Sequence, residues 1–247
     1  MLKLVRTEFL KLRRRRRVWS MFLAAFLMPV LSVCYFGYLG RTEVAPAQFY
    51  KWSAFGWTTW IILPVVLGIF GTMIVYEEKR LQIVRQIRLV PVSGESYFFS
   101  KFCMLLIWSV GFMVLTAVAS VVCSVLPGFV SFRLGGIAYL FEKCMEIGCL
   151  LAFAMMPILT LAISQSGYVF PVCMTIVYTL AGFFLMPVNM YLHPITSMGA
   201  ILIRNHDIPG ITVTQEISVM KAFLCIALWD LVSFGVARYQ LCGKKQG

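Results

Sequence analysis

Residues 77–101 read EEKRLQIVRQIRLVPVSGESYFFSK, and they separate two apolar runs, WTTWIILPVVLGIFGTMIVY at 57–76 and FCMLLIWSVGFMVLTAVASVVCSVL at 102–126. Each run approaches the twenty residues that an α-helix needs to cross about 30 Å of hydrocarbon. Neither contains Lys, Arg, Asp or Glu. Working outward, further apolar runs lie at 18–39, 139–163 (with a charged first turn), 169–186 and 219–237. Backbone polar groups inside a bilayer must be satisfied within the chain, and helices do this segment by segment. The expected fold is therefore an all-α integral membrane domain of six transmembrane helices, one unit over 1–247.

Composition agrees. Hydrophobic residues make up 60% of the chain and charged residues only 13%, against about 25% charged in soluble domains. A water-soluble globule is excluded. The basic excess is large, with 22 Lys and Arg against 10 Asp and Glu for a net charge of +12. Its distribution is uneven: the first seventeen residues, 77–101 and the tail beyond 237 hold eight, five and three basic residues. Loops rich in Lys and Arg stay in the cytoplasm. Both termini and 77–101 are thus expected to be cytoplasmic, with 40–54, 127–138 and 187–218 facing outward.

The run Arg13, Arg14, Arg15, Arg16 and Arg17 abuts the first span, a position suited to anionic lipid head groups. No nucleic-acid-reading module accompanies it, so nucleic acid is not an expected partner. A secretory signal peptide is rejected, because the first run is long, carries Pro29 midway and precedes five others. Cys34, Cys103, Cys123, Cys149, Cys173 and Cys225 fall inside apolar runs and read as free thiols. Cys144 with Cys149, and His193 with His206, lack metal-site spacing, so no metal is expected. No internal repeat is legible. Pro64 with Gly68 and Gly71, Pro157 and Pro171 do not form the matched interruptions of an inverted-repeat transporter.

Several segments can carry function. Over 1–17, Leu2, Val5, Phe9 and Leu12 share one helical face while Lys3, Arg6 and Lys11 lie away from it, the pattern either of a helix lying in the membrane interface or of an orientation signal that only sets topology. Within 77–101, Ile83, Val84, Ile87 and Val90 form an apolar stripe, with Gln82, Arg85, Gln86 and Arg88 elsewhere on the helix. Pro91 ends that helix. Ser93 is placed to cap a second one, with Glu95 in its first turn, that runs into the third span. Glu77 and Glu78 either bind Arg or Lys of this 77–101 helix-turn-helix or of a partner, or form a solvated helix end shielded by Lys79 and Arg80.

Asp230 sits near the middle of the sixth run, where a carboxylate costs about 2.5–3.5 kcal/mol on insertion scales. It is expected to face protein, as a polar contact in a pathway or as a hydrogen bond to a neighbouring helix. Residues 187–218 contain Pro187, Pro194 and Pro209 and an apolar stretch, 195–203, too short to span, so the segment is extracellular at the interface or re-entrant. Its polar and aromatic residues Tyr191, His193, Arg204, His206 and Asp207 are candidates for ligand contact or for a structural lid.

Glu8 and Lys11 in a basic amphipathic start, the stretch from Tyr76 through Glu77 and Glu78 to Leu89, Pro91 and Val92, and Lys101 at the start of the third span together resemble the permeases of type-2 ABC exporters. Among these the chain is similar to the lantibiotic immunity permeases, over essentially its whole length. The resemblance implies that 1–17 is an interfacial elbow helix and that 77–101 holds an amphipathic coupling helix between spans two and three that docks on a cytoplasmic ABC ATPase, with Glu77, Glu78, Arg85, Arg88, Ser93 and Glu95 as coupling residues. It further implies two ATPase copies, a second homologous permease, and lanthionine-bridged peptides expelled from a bacterial plasma membrane. ATP and Mg would sit on the ATPase and no cofactor on this chain. The sequence has no G-x-x-x-x-G-K-[ST] loop, so hydrolysis is expected on a partner and the chain is not expected to be an enzyme.

Two rival readings stand beside this one. Adjacent glutamates resemble the E-E-x-x-x-R pattern of prenyl endopeptidases, but the arginine position is Gln82 and no His lies in a span to complete a proton-transfer site. The alternative from another class is an ATP-independent secondary transporter or channel with Asp230 as its proton site.

Overall fold

The computed structural model describes residues 2–13, 16–40, 44–81, 93–204 and 217–243, and among them there is no strand. Helix α1 is Leu2–Arg13. Five helical segments are long and apolar enough to cross a membrane: Val18–Tyr38 (α2), Pro46–Arg80 (α3), Gly94–Val125 (α4), Leu134–Ser164, and Val219–Leu241 within α9, which spans Val219–Gly243. The fourth is broken into α5 (Leu134–Ala154) and α6 (Met156–Ser164). Pro157 lies in the first turn of α6 and has no N–H to donate back into α5. The run expected at 169–186 forms α7, Val169–Leu185, whose 17 residues make it shorter than the other five. Helix α8 is Pro194–Leu202.

Two boundaries differ from the sequence reading. Helix α3 starts at Pro46 rather than at 57, because Pro46 supplies a fixed first-turn φ and the chain before Gly56 is already helical. At Gly56 the backbone breaks, with ψ −117°. The Thr58 and Thr59 hydroxyls then donate to the Ser53 and Ala54 carbonyls, at 3.2 and 3.0 Å, and satisfy acceptors released by the break. Helix α5 starts at Leu134, so Glu142, Lys143 and Glu146 lie two to three turns inside it and not in a first turn.

The interior is built from stacked rings and close helix crossings. Trp108 of α4 stacks on Phe70 of α3 with centroids 4.6 Å apart and planes at 10°, and Phe22 of α2 lies 4.1 Å from Trp108 on another side. Lipid tails supply no hydrophobic drive between helices, so close backbone approach at small residues does the work. A Cβ on Gly68 would lie 2.1 Å from the Thr175 methyl of α7, and one on Gly148 would lie 2.9 Å from Val110 Cα of α4. At the same crossing the Ser109 hydroxyl donates to the Gly148 carbonyl at 2.7 Å.

Helix α8 is too short to cross a bilayer, yet every residue from Pro194 to Leu202 is buried. It packs against α5, α7 and α9, and Gly199 sits so close to Trp60 that a Cβ would fall 2.0 Å from the indole. A helix lying flat at an interface would keep one wet face; this one keeps none. Its first turn is capped by His193, whose Nδ1 accepts from the Ile195 N–H at 3.2 Å.

Gly148→Ala forces its new carbon against Val110 backbone, which cannot swing aside, and is expected to destabilise the fold by about 1–3 kcal/mol. Gly167→Ala, at a position with nothing within 4 Å, should leave thermal unfolding in detergent unchanged.

Candidate functional site

Three separate segments meet at the end of the bundle where α3 stops and α4 starts. Helix α1 brings Glu8 and Lys11 on one face at i, i+3 spacing; α3 brings Glu78; and α4 brings Tyr97 and Lys101 at i, i+4. Lys101 is 0% exposed and holds both carboxylates, Glu8 Oε2 at 2.5 Å and Glu78 Oε1 at 2.7 Å. Lys11 binds the same two residues from the partly exposed side, with 2.9 Å to each. The Tyr97 hydroxyl donates to Glu78 Oε2 at 3.0 Å. Its ring also faces the Lys101 ammonium at 5.2 Å.

The arrangement is electrically closed. Two carboxylates and two ammonium groups cancel, and each buried charge is paired more than once. Pairing of this kind offsets a desolvation cost of several kcal/mol per ion. Burial works against the Lys11 charge, but hydrogen bonds and attraction from Glu78 and Glu8 outweigh it and raise its pKa.

Lys79 turns to the opposite side. Its ammonium donates to the carbonyls of Ala162, Ile163 and Gln165 at 3.0, 2.6 and 2.5 Å, capping the C-terminus of α6. Glu78 and Lys79 therefore grip different neighbours, the first α1 and α4, the second α6. The solvated helix end considered from the sequence does not describe Glu78, which is buried and contacts Lys11 of α1 rather than a basic residue of 77–101 alone.

The other expected residues are spread over the molecule. Arg85 and Arg88 lie outside the described residues, as do the apolar stripe Ile83, Val84, Ile87 and Val90 and the ending Pro91. Ser93 caps α4 as expected, its Oγ accepting from the Ser96 N–H at 3.2 Å. Glu95 meets Arg238 at 3.1 Å, but both side chains are well exposed and such a pair is worth little. Asp230 has one carboxylate oxygen buried with no hydrogen-bond partner.

His206 and Asp207 lie outside the described residues, and Tyr191, His193 and Arg204 each have an internal task. The Tyr191 hydroxyl accepts from the Ser218 N–H at 2.7 Å. Arg204 pairs with Glu146 of α5. His193 caps α8 and lies against Tyr178, with ring centroids 4.2 Å apart and planes tilted by 50°. Sequence reasoning noted Glu8 and Lys101 only as points of resemblance, and Lys11 besides only as a residue off the apolar face of 1–17. It did not bring them to Glu78, and Tyr97 was missed altogether.

Lys101→Met removes the central cation and leaves Glu8 and Glu78 to the half-exposed Lys11. The expected loss is about 3–5 kcal/mol, read by thermal unfolding in detergent, while Glu95→Ala should change stability by less than about 1 kcal/mol. A second expectation concerns pH. Burial pushes the His193 imidazole down to about 4 from 6.5, so the folded protein keeps it neutral while the unfolded chain takes up a proton. Its contribution is complete above pH 6.5 and is lost as pH falls toward 4. His193→Asn keeps a capping acceptor and should flatten that part of the melting-temperature profile.

No curated protein matches the chain. Residues 4–182, a segment that includes Glu8, Lys11, Glu78, Tyr97 and Lys101, match the family described as ABC-2 family transporter protein. With that match over well more than half its length, and several apolar helices able to cross a membrane, the chain belongs to the ABC-2 transporter family, whose membrane components work with a partner ABC ATPase.

Proposed function

We propose that this chain is the permease subunit of an ATP-driven exporter that expels lantibiotic or similar antimicrobial peptides from a bacterial plasma membrane and so confers immunity or resistance. In this reading the segment 77–101 docks on a cytoplasmic ATPase present in two copies, a second permease completes the membrane portion, and ATP and Mg are bound by the ATPase alone. Six spans with cytoplasmic termini are part of the same reading.

The observation that carries it is the set of contacts made by Glu78 and Lys79 near the start of 77–101 and by Ser93 and Lys101 near its end. Near the start, Glu78 is tied to α1 and α4 and Lys79 to α6; near the end, α4 starts at a capped turn and holds Lys101 against Glu78. The ion pairs of Glu78 and the hydrogen bonds of Lys79 support this reading, since together they tie the end of α3 to α1, α4 and α6. The peptide class is supported by the resemblance of Glu8, Lys11, Glu78 and Lys101 to the immunity permeases.

The test combines purification and tolerance. The full chain is expected to co-purify with an ABC ATPase, and cells producing both should tolerate lanthionine-bridged peptide. Lys101→Arg should keep part of that tolerance and Glu78→Ala should lose it while ATP hydrolysis continues. Peptide tolerance at the normal level in Glu78→Ala, in a chain that is correctly inserted, would sink the coupling role. The unpartnered Asp230 oxygen favours one second reading, a proton-driven transporter; transport by the chain alone that Asp230→Asn abolishes would replace the first.

A further inference from the structure

Helix α3 is built irregularly near its start, and the irregularity shapes a cavity. Turns of π geometry run over Lys51–Phe55 and Thr58–Ile62, on either side of the break at Gly56. In a regular α-helix, residues five apart point about 140° away from each other. A π turn closes on the fifth residue, which brings Trp52 and Trp57 toward one side of α3, where both line the cavity. Gly56 is needed at the break, because a Cβ there would lie 2.9 Å from the Lys51 carbonyl oxygen. Such turns are rare and recur at functional sites.

The cavity holds about 400 Å³, a volume within the range of ligand sites. Trp52 and Trp57 form one wall, and Met28, Leu31, Ser32 and Tyr35 of α2 form the other. The Tyr35 and Trp52 rings stack with centroids 5.0 Å apart, and Trp57 is held by Phe183 of α7 at 5.9 Å. Tyr35 lies one turn from the end of α2 at Tyr38, and Met28 lies about 10 Å further along the helix. The slot therefore runs lengthwise, from near the turn between α2 and α3 toward the middle of the spans. Leu31, Tyr35 and Trp57 are 51%, 46% and 48% exposed, so its long side opens where a bilayer lies against α2 and α3. Ser32 returns its hydroxyl to the Met28 carbonyl at 2.8 Å, which leaves the deep part apolar.

Near the turn the chemistry changes. Lys51 precedes Trp52, is half-buried, and makes no ion pair among the described residues. No carboxylate lines the slot. We propose that the slot seats one acyl chain of an anionic phospholipid, with its phosphate held by the Lys51 ammonium and the Trp52 indole N–H. A zwitterionic lipid would bring a second ammonium beside Lys51 with no acid to receive it. A cationic peptide would meet the same repulsion. Trp and Tyr also anchor helices at a membrane interface, but anchoring requires no cavity between them. The inference rests on the crossing of the bilayer by α2 and α3 and is independent of what is exported.

The test uses the full chain in nanodiscs of phosphatidylglycerol and phosphatidylcholine in equal parts. Native mass spectrometry should show the most tightly retained lipid to be phosphatidylglycerol, preferred about tenfold or more. Phosphatidylglycerol with a photoreactive group in its acyl chain should label Met28, Leu31 or Trp57, and glycerol phosphate, which lacks the chain, should not compete. These measurements need no substitution and stand if a variant fails to fold. Lys51→Gln should keep the label and lose the preference, whereas Leu31→Trp, which fills the slot, should lose the label. Equal retention of the two lipids overturns the proposal, as does labelling spread evenly over Leu23, Leu27 and Val30. So does competition by glycerol phosphate, or a crosslinker at 31 that captures a second chain and never a lipid.

Discussion

Lys101 is a full positive charge with no exposure to solvent, and the end of the bundle where it lies is organised around that fact. An ammonium so placed is tolerable only while two carboxylates face it. Those carboxylates come from α1 and from the last turns of α3, so neither element can leave without stranding a charge. The network therefore specifies geometry more than it adds stability. It sets where α1 lies on the bundle, and it brings the end of α3 to the start of α4. It also explains why Tyr97 is needed, since the second oxygen of Glu78 would otherwise be buried without a donor.

Away from that end, helices are held by closeness instead of charge. Gly68 against Thr175, Gly148 against Val110 and Gly199 against Trp60 are positions where one added carbon would collide. Hydroxyl groups are spent locally: Ser32, Thr116 and Thr175 each donate to a carbonyl one turn back in their own helix. Against this mostly apolar interior the few ionisable side chains are conspicuous. Lys143, Glu146 and Arg204 form one such group, and Asp230 is another.

Much of this was legible in the sequence where the signal is local. The apolar runs mark the helices because a bilayer allows little else, and the Ser93 cap was readable because cap, turn and first acidic residue adjoin one another. The charge network was not readable. Its members lie 67 and 93 residues apart along the chain, and no periodicity links Lys11 to Glu78 or Lys101 to Glu8. Helix starts failed for a related reason. Leu134, Gly135 and Gly136 look like loop, but α3 starts early at Pro46 and the two starts pack together, Gly136 facing the Pro46 ring. Once α5 is moved outward, its charges move inward, and what looked like a wet first turn becomes a group in the middle of the apolar run.

The interruption between α5 and α6 divides the fourth span into two rods with different attachments. The upper rod is fastened to α4 by the Gly148 crossing and the Ser109 bond. The lower rod is held at its tip by the Lys79 ammonium. Between them Pro157 has already forgone its backbone hydrogen bond, so bending at this joint breaks none there. The Tyr178 hydroxyl, bound to the Ala154 carbonyl at 2.7 Å, acts as the pin. Mechanically the span is two arms joined at one turn: the short arm is tied to the end of α3 through Lys79, and the long arm is clasped to α4.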